Sequence, residues 1–406
     1  MKYFLLILFL FPGLLPDNDA VTTQRENNYI RSGPGAFYSL IEIVPRNIKL
    51  KVLDKENNWI KVQLSDKNKG WIAENCIKAS SESSGLEKRL IGTKTTADVS
   101  KTTLTAAIKG LSGKGINVNS PGNIDRLNEM SERRIDPAKF KFFRREADNT
   151  ESGNRGTSAA GIFQNEKGYY DPSIDELKVG FGTAAKLAGN ISSDSRKDEY
   201  INLITNLLVS GSGLYDWEFR TFLLNDQKVN GYACPGGYIY ITGGAYNLCQ
   251  DESELAFIIA HEIAHVVMRH GLQELTKRKV HITSESSFDE LEKETGEKIS
   301  GDESDLNDII EQTYEHIVHK RLLNYEIQAD RAAAVLLANA GYDPFSSCRI
   351  AAKLSELYFK NKDVFDYNYS EPDAARLRYE EIKKFTASNF RVEKPGARLE
   401  KRFRSY

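Results

Sequence analysis

Five residues, His261-Glu262-Ile263-Ala264-His265, constrain this chain more than any others. They lie in an apolar run, with Leu255-Ala256-Phe257-Ile258-Ile259-Ala260 before them and Val266-Val267-Met268 after them. Such a run reads as a buried helix. Residues four apart share one helix face, so both imidazoles can reach a single metal ion. Glu262 stands beside them as a candidate general base, and the pattern suits a catalytic zinc. The fold must therefore bury this helix and deliver a further ligand to it. The competing reading, two exposed histidines on a surface helix, fits the apolar flanks poorly.

The 406 residues suffice for two or three domains, and the formal charge of −2 gives no reason to expect nucleic acid as a partner. Residues 1–20 read as an export signal: Lys2, an apolar run from Tyr3 to Phe11, then Pro12-Gly13. The run ends near Leu15, short for a membrane span, and no cysteine follows closely enough for a lipid-anchored leader. An uncleaved anchor is the alternative. No later stretch is apolar over the length of a span, so no integral membrane domain is expected after the leader. The expected location is the periplasm or cell envelope. Cys76, Cys234, Cys249 and Cys348 allow disulfides in an exported protein but show no C-x-x-C spacing for a cysteine zinc site.

Residues 25–79 alternate apolar and polar in short runs, as in Ile41-Glu42-Ile43-Val44 and Trp59-Ile60-Lys61-Val62-Gln63-Leu64, with turns at Gly33-Pro34-Gly35 and Asp66-Lys67-Asn68-Lys69-Gly70. The pattern predicts a small β-barrel. Tyr29-Ile30-Arg31-Ser32-Gly33-Pro34, Asn58-Trp59-Ile60-Lys61-Val62 and Gly70-Trp71-Ile72 resemble bacterial SH3-like domains. Trp59 and Trp71 either fill its core or line a groove for a peptide or cell-wall ligand.

Residues 80–170 read as a linker and partly helical spacer. Ser80 to Gly85 is a polar link, and segments near 97–110 and 123–148 have helical character. Lys109 to Gly115 resembles a phosphate loop only faintly, since Gly115 stands where a magnesium-binding hydroxyl belongs.

From 171 to 395 one compact domain is expected. Helices are predicted over 174–188, 198–208, 253–271 and 308–340, the last ending at Gly341. Strands are predicted over 217–224 and 236–242. Residues 284–305 are Ser-rich and acidic and read as a solvated loop or, less favourably, a mobile lid. Residues 396–406 read as a solvated basic tail.

A catalytic zinc takes three protein ligands and leaves one position open. Met268 and Gly271 stand where a metzincin needs glycine and its third histidine. His270 lies about 140° off the ligand face of a continuous helix and reads as structural. Two carboxylates remain. Glu285, with Asp289 four residues on, sits in a polar stretch without an apolar face. Glu326 and Asp330 sit one turn apart ahead of Ala332-Ala333-Ala334-Val335-Leu336-Leu337, a buried-helix pattern. Glu326 is preferred, with Asp330 placed to receive the N–H of a ligand histidine.

Val229 to Ala245, His261 to His270 and Glu326 to Asp330 are similar in order and spacing to the zinc peptidase family of HtpX, BepA and the CAAX prenyl endopeptidase. The resemblance implies a gluzincin fold, one zinc held by His261, His265 and Glu326, and Glu262 as base. It also implies that the strand after Pro235-Gly236-Gly237 edges the cleft, so that Gly237, Tyr238, Ile239, Tyr240 and Ile241 pair with an extended substrate. The family's C-terminal His-Pro is replaced by Glu371-Pro372, leaving Glu371 as a candidate cap on the metal. Arg376, or alternatively Arg378, is the candidate oxyanion stabiliser, with a structural salt bridge as the rival role.

The expected fold is α+β: a mostly helical gluzincin-type domain with a small sheet, preceded by an SH3-like barrel. The expected function is zinc-dependent endoproteolysis of extended or misfolded envelope proteins. The alternative is a gated or inactive binding protein working through the SH3-like domain.

Overall fold

The computed structural model describes residues 20–64, 68–79, 121–155, 170, 172, 174–272 and 302–406. They belong to two units that divide between Leu104 and Thr105.

The first unit is an antiparallel sheet of β1 (Ala20–Thr23), β2 (Asn28–Arg31), β3 (Leu40–Val44), β4 (Lys49–Glu56), β5 (Trp59–Gln63), β6 (Lys69–Ala73) and β7 (Ile77–Ala79), in the order β3-β2-β6-β5-β4-β1-β7. Asn57, in the left-handed region at φ 51°, turns β4 into β5, a conformation that asparagine tolerates better than most residues. Ile30, Val62 and Ile72 are fully buried. Trp59 and Trp71 are buried as well, as core residues of this unit.

The second unit opens with α1 (Pro121–Glu132) and α2 (Pro137–Asp148), where Asp136 caps α2 by accepting from the Ala138 N–H. Leu127, Phe140 and Phe143 are buried. Arg134 pairs with Glu218 at 2.6 Å and Arg126 donates to the Ile191 carbonyl at 2.5 Å. These two helices are thus part of the helical unit rather than a spacer. The predicted helix near 97–110 and the linker at 80–85 lie outside the described residues.

Then follow α3 (Ile174–Leu187), α4 (Ser195–Ser210), β8 (Arg220–Leu224), β9 (Gly231–Cys234), β10 (Tyr238–Thr242), α5 (Gly243–Leu248) and α6 (Glu252–Val267). The three strands are ordered β8-β10-β9, β10 running parallel to β8 and antiparallel to β9. The outer edge of β8 is already satisfied. Asn202 donates to the Thr221 carbonyl and accepts from the Thr221 N–H, and the Ser192 N–H bonds the Leu223 carbonyl.

After α6 come α7 (Asp302–His319), β11 (Lys320–Arg321), α8 (Leu323–Ala340), α9 (Ser346–Lys360), β12 (Asn368–Tyr369), α10 (Ala374–Asn389) and α11 (Glu400–Arg404). The single helix expected over 308–340 is two. Lys320 and Arg321 pair in parallel with Asn368 and Tyr369, and Leu322 is extended at φ −84°, ψ 121°. Gly341 closes α8 in the left-handed conformation at φ 88°.

Two basic residues near the C-terminus, Arg398 and Arg402, are paired with buried acids, while Lys401 and Arg404 are exposed. Asp251, Glu252 and Glu254 at the start of α6 are all fully buried. Arg398 Nε donates to Asp251 at 2.8 Å, and Arg402 Nε donates to Glu252 at 2.6 Å. Tyr200 and Tyr342 hydroxyls also bond Glu252, while Arg349 and Lys353 neutralise Glu254. A buried carboxylate persists only with such partners. The four cysteines are free.

Candidate metal centre

Alanines bring two helices close enough to share ligands. Ala264 on α6 packs against Ala329 and Ala332 on α8, all fully buried. Asp251 caps α6 by accepting from the Glu254 N–H at 2.9 Å. The break at Leu322 starts α8 one turn before Glu326, on the side facing α6.

His261, His265 and Glu326 converge, each offering one ligand atom within 4.8 Å of the others. The two Nε2 atoms are 3.0 Å apart, and each lies 3.4 Å from a Glu326 oxygen. Two imidazole nitrogens and a carboxylate oxygen, all buried, are a donor set suited to zinc. Asp330 lies one turn beyond Glu326, with Oδ1 2.9 Å from His261 Nδ1. Arg378 locks this arrangement. It donates through Nε and Nη2 to both Asp330 oxygens at 2.9 and 2.7 Å, and its Nη1 lies 2.7 Å from Glu326. Burial opposes charge on Glu326, but Arg378 and the two histidines hold it well below the usual carboxylate range. Burial likewise opposes a proton on His261, yet Asp330 and Glu326 raise it to about 9, whereas burial pushes His265 down to about 4.

Glu262 lines the same cleft as His261, Glu326, Arg321 and Arg378, an open space of about 430 Å³. Its Oε2 is buried and has no hydrogen-bond partner among the described residues. A buried carboxylate oxygen without a partner among the described residues, beside a convergent His/His/Glu donor set, fits a metal-and-water site. Burial raises its pKa, with His261 and Arg321 opposing the rise. Gly231 on β9 is essential to this placement: a Cβ there would lie 2.4 Å from Glu262 Oε1.

Other expectations fall differently. Arg376 is exposed and pairs with Asp373 and Glu380, so it does not join the cluster; Arg378 does. Glu371 is exposed and is not among the convergent ligands. Glu285, Asp289 and the rest of the acidic segment up to 301 lie outside the described residues. Tyr238 to Ile241 cannot receive a substrate strand, because β10 is the middle strand with both edges occupied. The strand bordering the cleft is β9, with Asn230 and Gly231 lining the cleft on one side of the metal cluster and Ala233 lining a second cleft on the other.

Two residues were missed or misassigned from sequence. Arg321 is buried, donates to the Gly231 carbonyl at 2.7 Å and to Asn230 Oδ1 at 2.6 Å, and lines both clefts. Its signal was hidden by the expectation of a continuous helix. His270 is not off-face, because α6 ends at Val267 and Arg269 turns left-handed at φ 55°. That turn returns the His270 ring to His265, with the two Nδ1 atoms 2.9 Å apart.

Comparison with known proteins agrees with this geometry. Residues 195–385 match the model for peptidase family M48, and residues 26–78 match that for a bacterial SH3 domain. The beta-barrel assembly-enhancing protease of Escherichia coli K12 is 32% identical over 97 residues, 23% of this chain and 20% of that protein. The mitochondrial metalloendopeptidase OMA1 of Arabidopsis thaliana is 28% identical over 167 residues, 41% of this chain and 31% of that protein. Its counterpart in Schizosaccharomyces pombe is 29% identical over 76 residues, 19% of this chain and 23% of that protein. The chain thus spans roughly a third or less of these relatives. The converging histidines and glutamate lie in the matched region, so the helical unit is similar to peptidase family M48, and a match to a bacterial SH3 domain precedes it.

Proposed function

We propose that the helical unit is a zinc-dependent endopeptidase acting on extended or misfolded proteins of the cell envelope. The observation that carries this reading is the convergence of His261, His265 and Glu326 beside the buried Oε2 of Glu262. Bound zinc would polarise a scissile carbonyl and acidify water. Glu262 Oε2 takes the proton of the attacking water and passes it to the leaving amine nitrogen. Asp330 Oδ1 lies 2.9 Å behind His261 Nδ1, and Arg378 fixes both carboxylates of α8. An extended substrate pairs with β9. Strand alternation turns the backbone groups of Ala233 away from β10, where no hydrogen bond meets them among the described residues; farther along the same edge Arg321 holds the Gly231 carbonyl. The envelope assignment is supported by the leader-like residues 1–20 and by the similarity to a beta-barrel assembly-enhancing protease. Among the described residues no helix is long and apolar enough to cross a membrane. The rival reading, a binding protein working through the SH3 unit, draws no support from Trp59 and Trp71, which are core residues.

The test is zinc content together with chelator-sensitive cleavage of casein by the full chain. Glu262→Gln should keep zinc and lose about 10²–10⁴-fold in turnover. Glu326→Ala should lose zinc as well. Cleavage at the wild-type rate by Glu262→Gln would overturn the assigned mechanism.

A further inference from the structure

The two ligand histidines are held from behind by different chemistry. His261 Nδ1 faces a carboxylate, Asp330 at 2.9 Å. His265 Nδ1 faces a neutral ring, with His270 Nδ1 at 2.9 Å. The other nitrogen of His270 faces Gln328 Oε1 at 3.2 Å. His270 is buried, and its ring stacks on Tyr325 with centroids 4.3 Å apart and planes 8° from parallel. Tyr325 adjoins Glu326, and Gln328 lies between Glu326 and Asp330 on the same helix.

These contacts order the protons in one way. For Nε2 of His265 to offer its lone pair toward His261 and Glu326, its proton must sit on Nδ1. That N–H donates to His270 Nδ1, which must then be an acceptor. The single proton of His270 therefore sits on Nε2 and donates to Gln328 Oε1, an atom that can only accept. Each nitrogen has one role, and reversing any of them breaks a bond.

We propose that His270 is a positioning residue for the metal centre: through the relay His265–His270–Gln328 it fixes His265 as the Nδ1–H tautomer with Nε2 free to ligate. The inference rests on the zinc reading above but concerns affinity for the metal rather than cleavage. It also explains why Gln328, not a second acid, follows Glu326. A carboxylate there would stabilise the doubly protonated His270 ring, whose Nδ1 could no longer accept from His265. Partners behind ligand histidines commonly contribute 10–100-fold in metal affinity.

The test is zinc affinity of the full chain by chelator competition, with melting of the zinc-free chain measured alongside. His270→Phe keeps a ring for Tyr325 but removes the acceptor, and should weaken zinc binding by about 10–100-fold. His270→Asn places Oδ1 near the position of the lost Nδ1 and should recover most of that loss, even though it gives up the stacking. Imidazole ¹⁵N shifts of zinc-loaded wild type should report His265 protonated at Nδ1. Unchanged affinity in His270→Phe, or equal losses in the Phe and Asn variants, would overturn the relay while leaving the metal centre intact. Equal losses with a matching fall in melting temperature would assign His270 a packing role instead. A wild-type chain that binds no zinc would overturn the metal centre and the relay together.

Discussion

At the scale of single residues, a proton on His261 occupies a position that a metal would take. In the zinc-free chain His261 holds a proton up to about pH 9, because Asp330 and Glu326 outweigh the cost of its burial. Zinc must displace that proton to bind. Apparent zinc affinity should therefore rise about tenfold per unit between about pH 6.5 and pH 8, with close to one proton released per ion. Calorimetry in buffers of different ionisation enthalpy measures both quantities. A flat profile over that range would mean that His261 is already neutral. His261 and His265 were legible as a pair from helix periodicity, and Glu326 with Asp330 was preferred over Glu285 for its alanine-rich apolar flank. The arginine was half legible. Arg376 and Arg378 differ by two positions, about 200° around a helix, so they cannot share a face. The spacing Ala375, Arg378, Ile382 marks the buried face and selects Arg378. His270 and Arg321 were illegible for one reason: each sits where a helix stops, and neither stop carries a glycine or proline.

At the scale of elements, the decisive fact is strand order. The most apolar strand, Tyr238–Thr242, became the centre of its sheet, while the shorter Gly231–Cys234 became the edge. This is the usual outcome of burial, since a central strand is covered on both sides and an edge strand is not. Pairing order is a tertiary property, and the strand that the family resemblance put at the cleft edge lies at the centre of its sheet. The break after His319 has the same origin, a two-residue parallel pairing with Asn368 and Tyr369 that no local signal announces. The edge assignment makes a prediction. Ala233→Pro removes a backbone donor from the free side of β9 but none from its pairing with β10, and proline is tolerated on edge strands. Cleavage of casein should fall at least about tenfold, mainly through KM, with zinc content unchanged. Equal kinetics in the variant would place substrate elsewhere.

At the scale of the whole helical unit, the metal helix is held at its start by charges from far along the chain. Arg402 reaches back 150 positions to Glu252, and Arg398 reaches 147 to Asp251. The basic residues were plain in the sequence, but their partners were not, because Asp251, Glu252 and Glu254 read as an ordinary acidic helix start. Removing a cation from a buried pair costs about 3–5 kcal/mol, and Arg402→Ala should destabilise the helical unit by that amount in urea denaturation. A loss below about 1 kcal/mol would mean that the Tyr200 and Tyr342 hydroxyls satisfy Glu252 unaided. The same clasp bears on synthesis. A ribosome makes the histidine helix well before residues 398–402, so a nascent chain carries three acids that cannot be buried without their counter-charges. The hydrolytic centre is therefore completed late, after nearly all of this chain has left the exit tunnel, and a half-made molecule is denied a working blade.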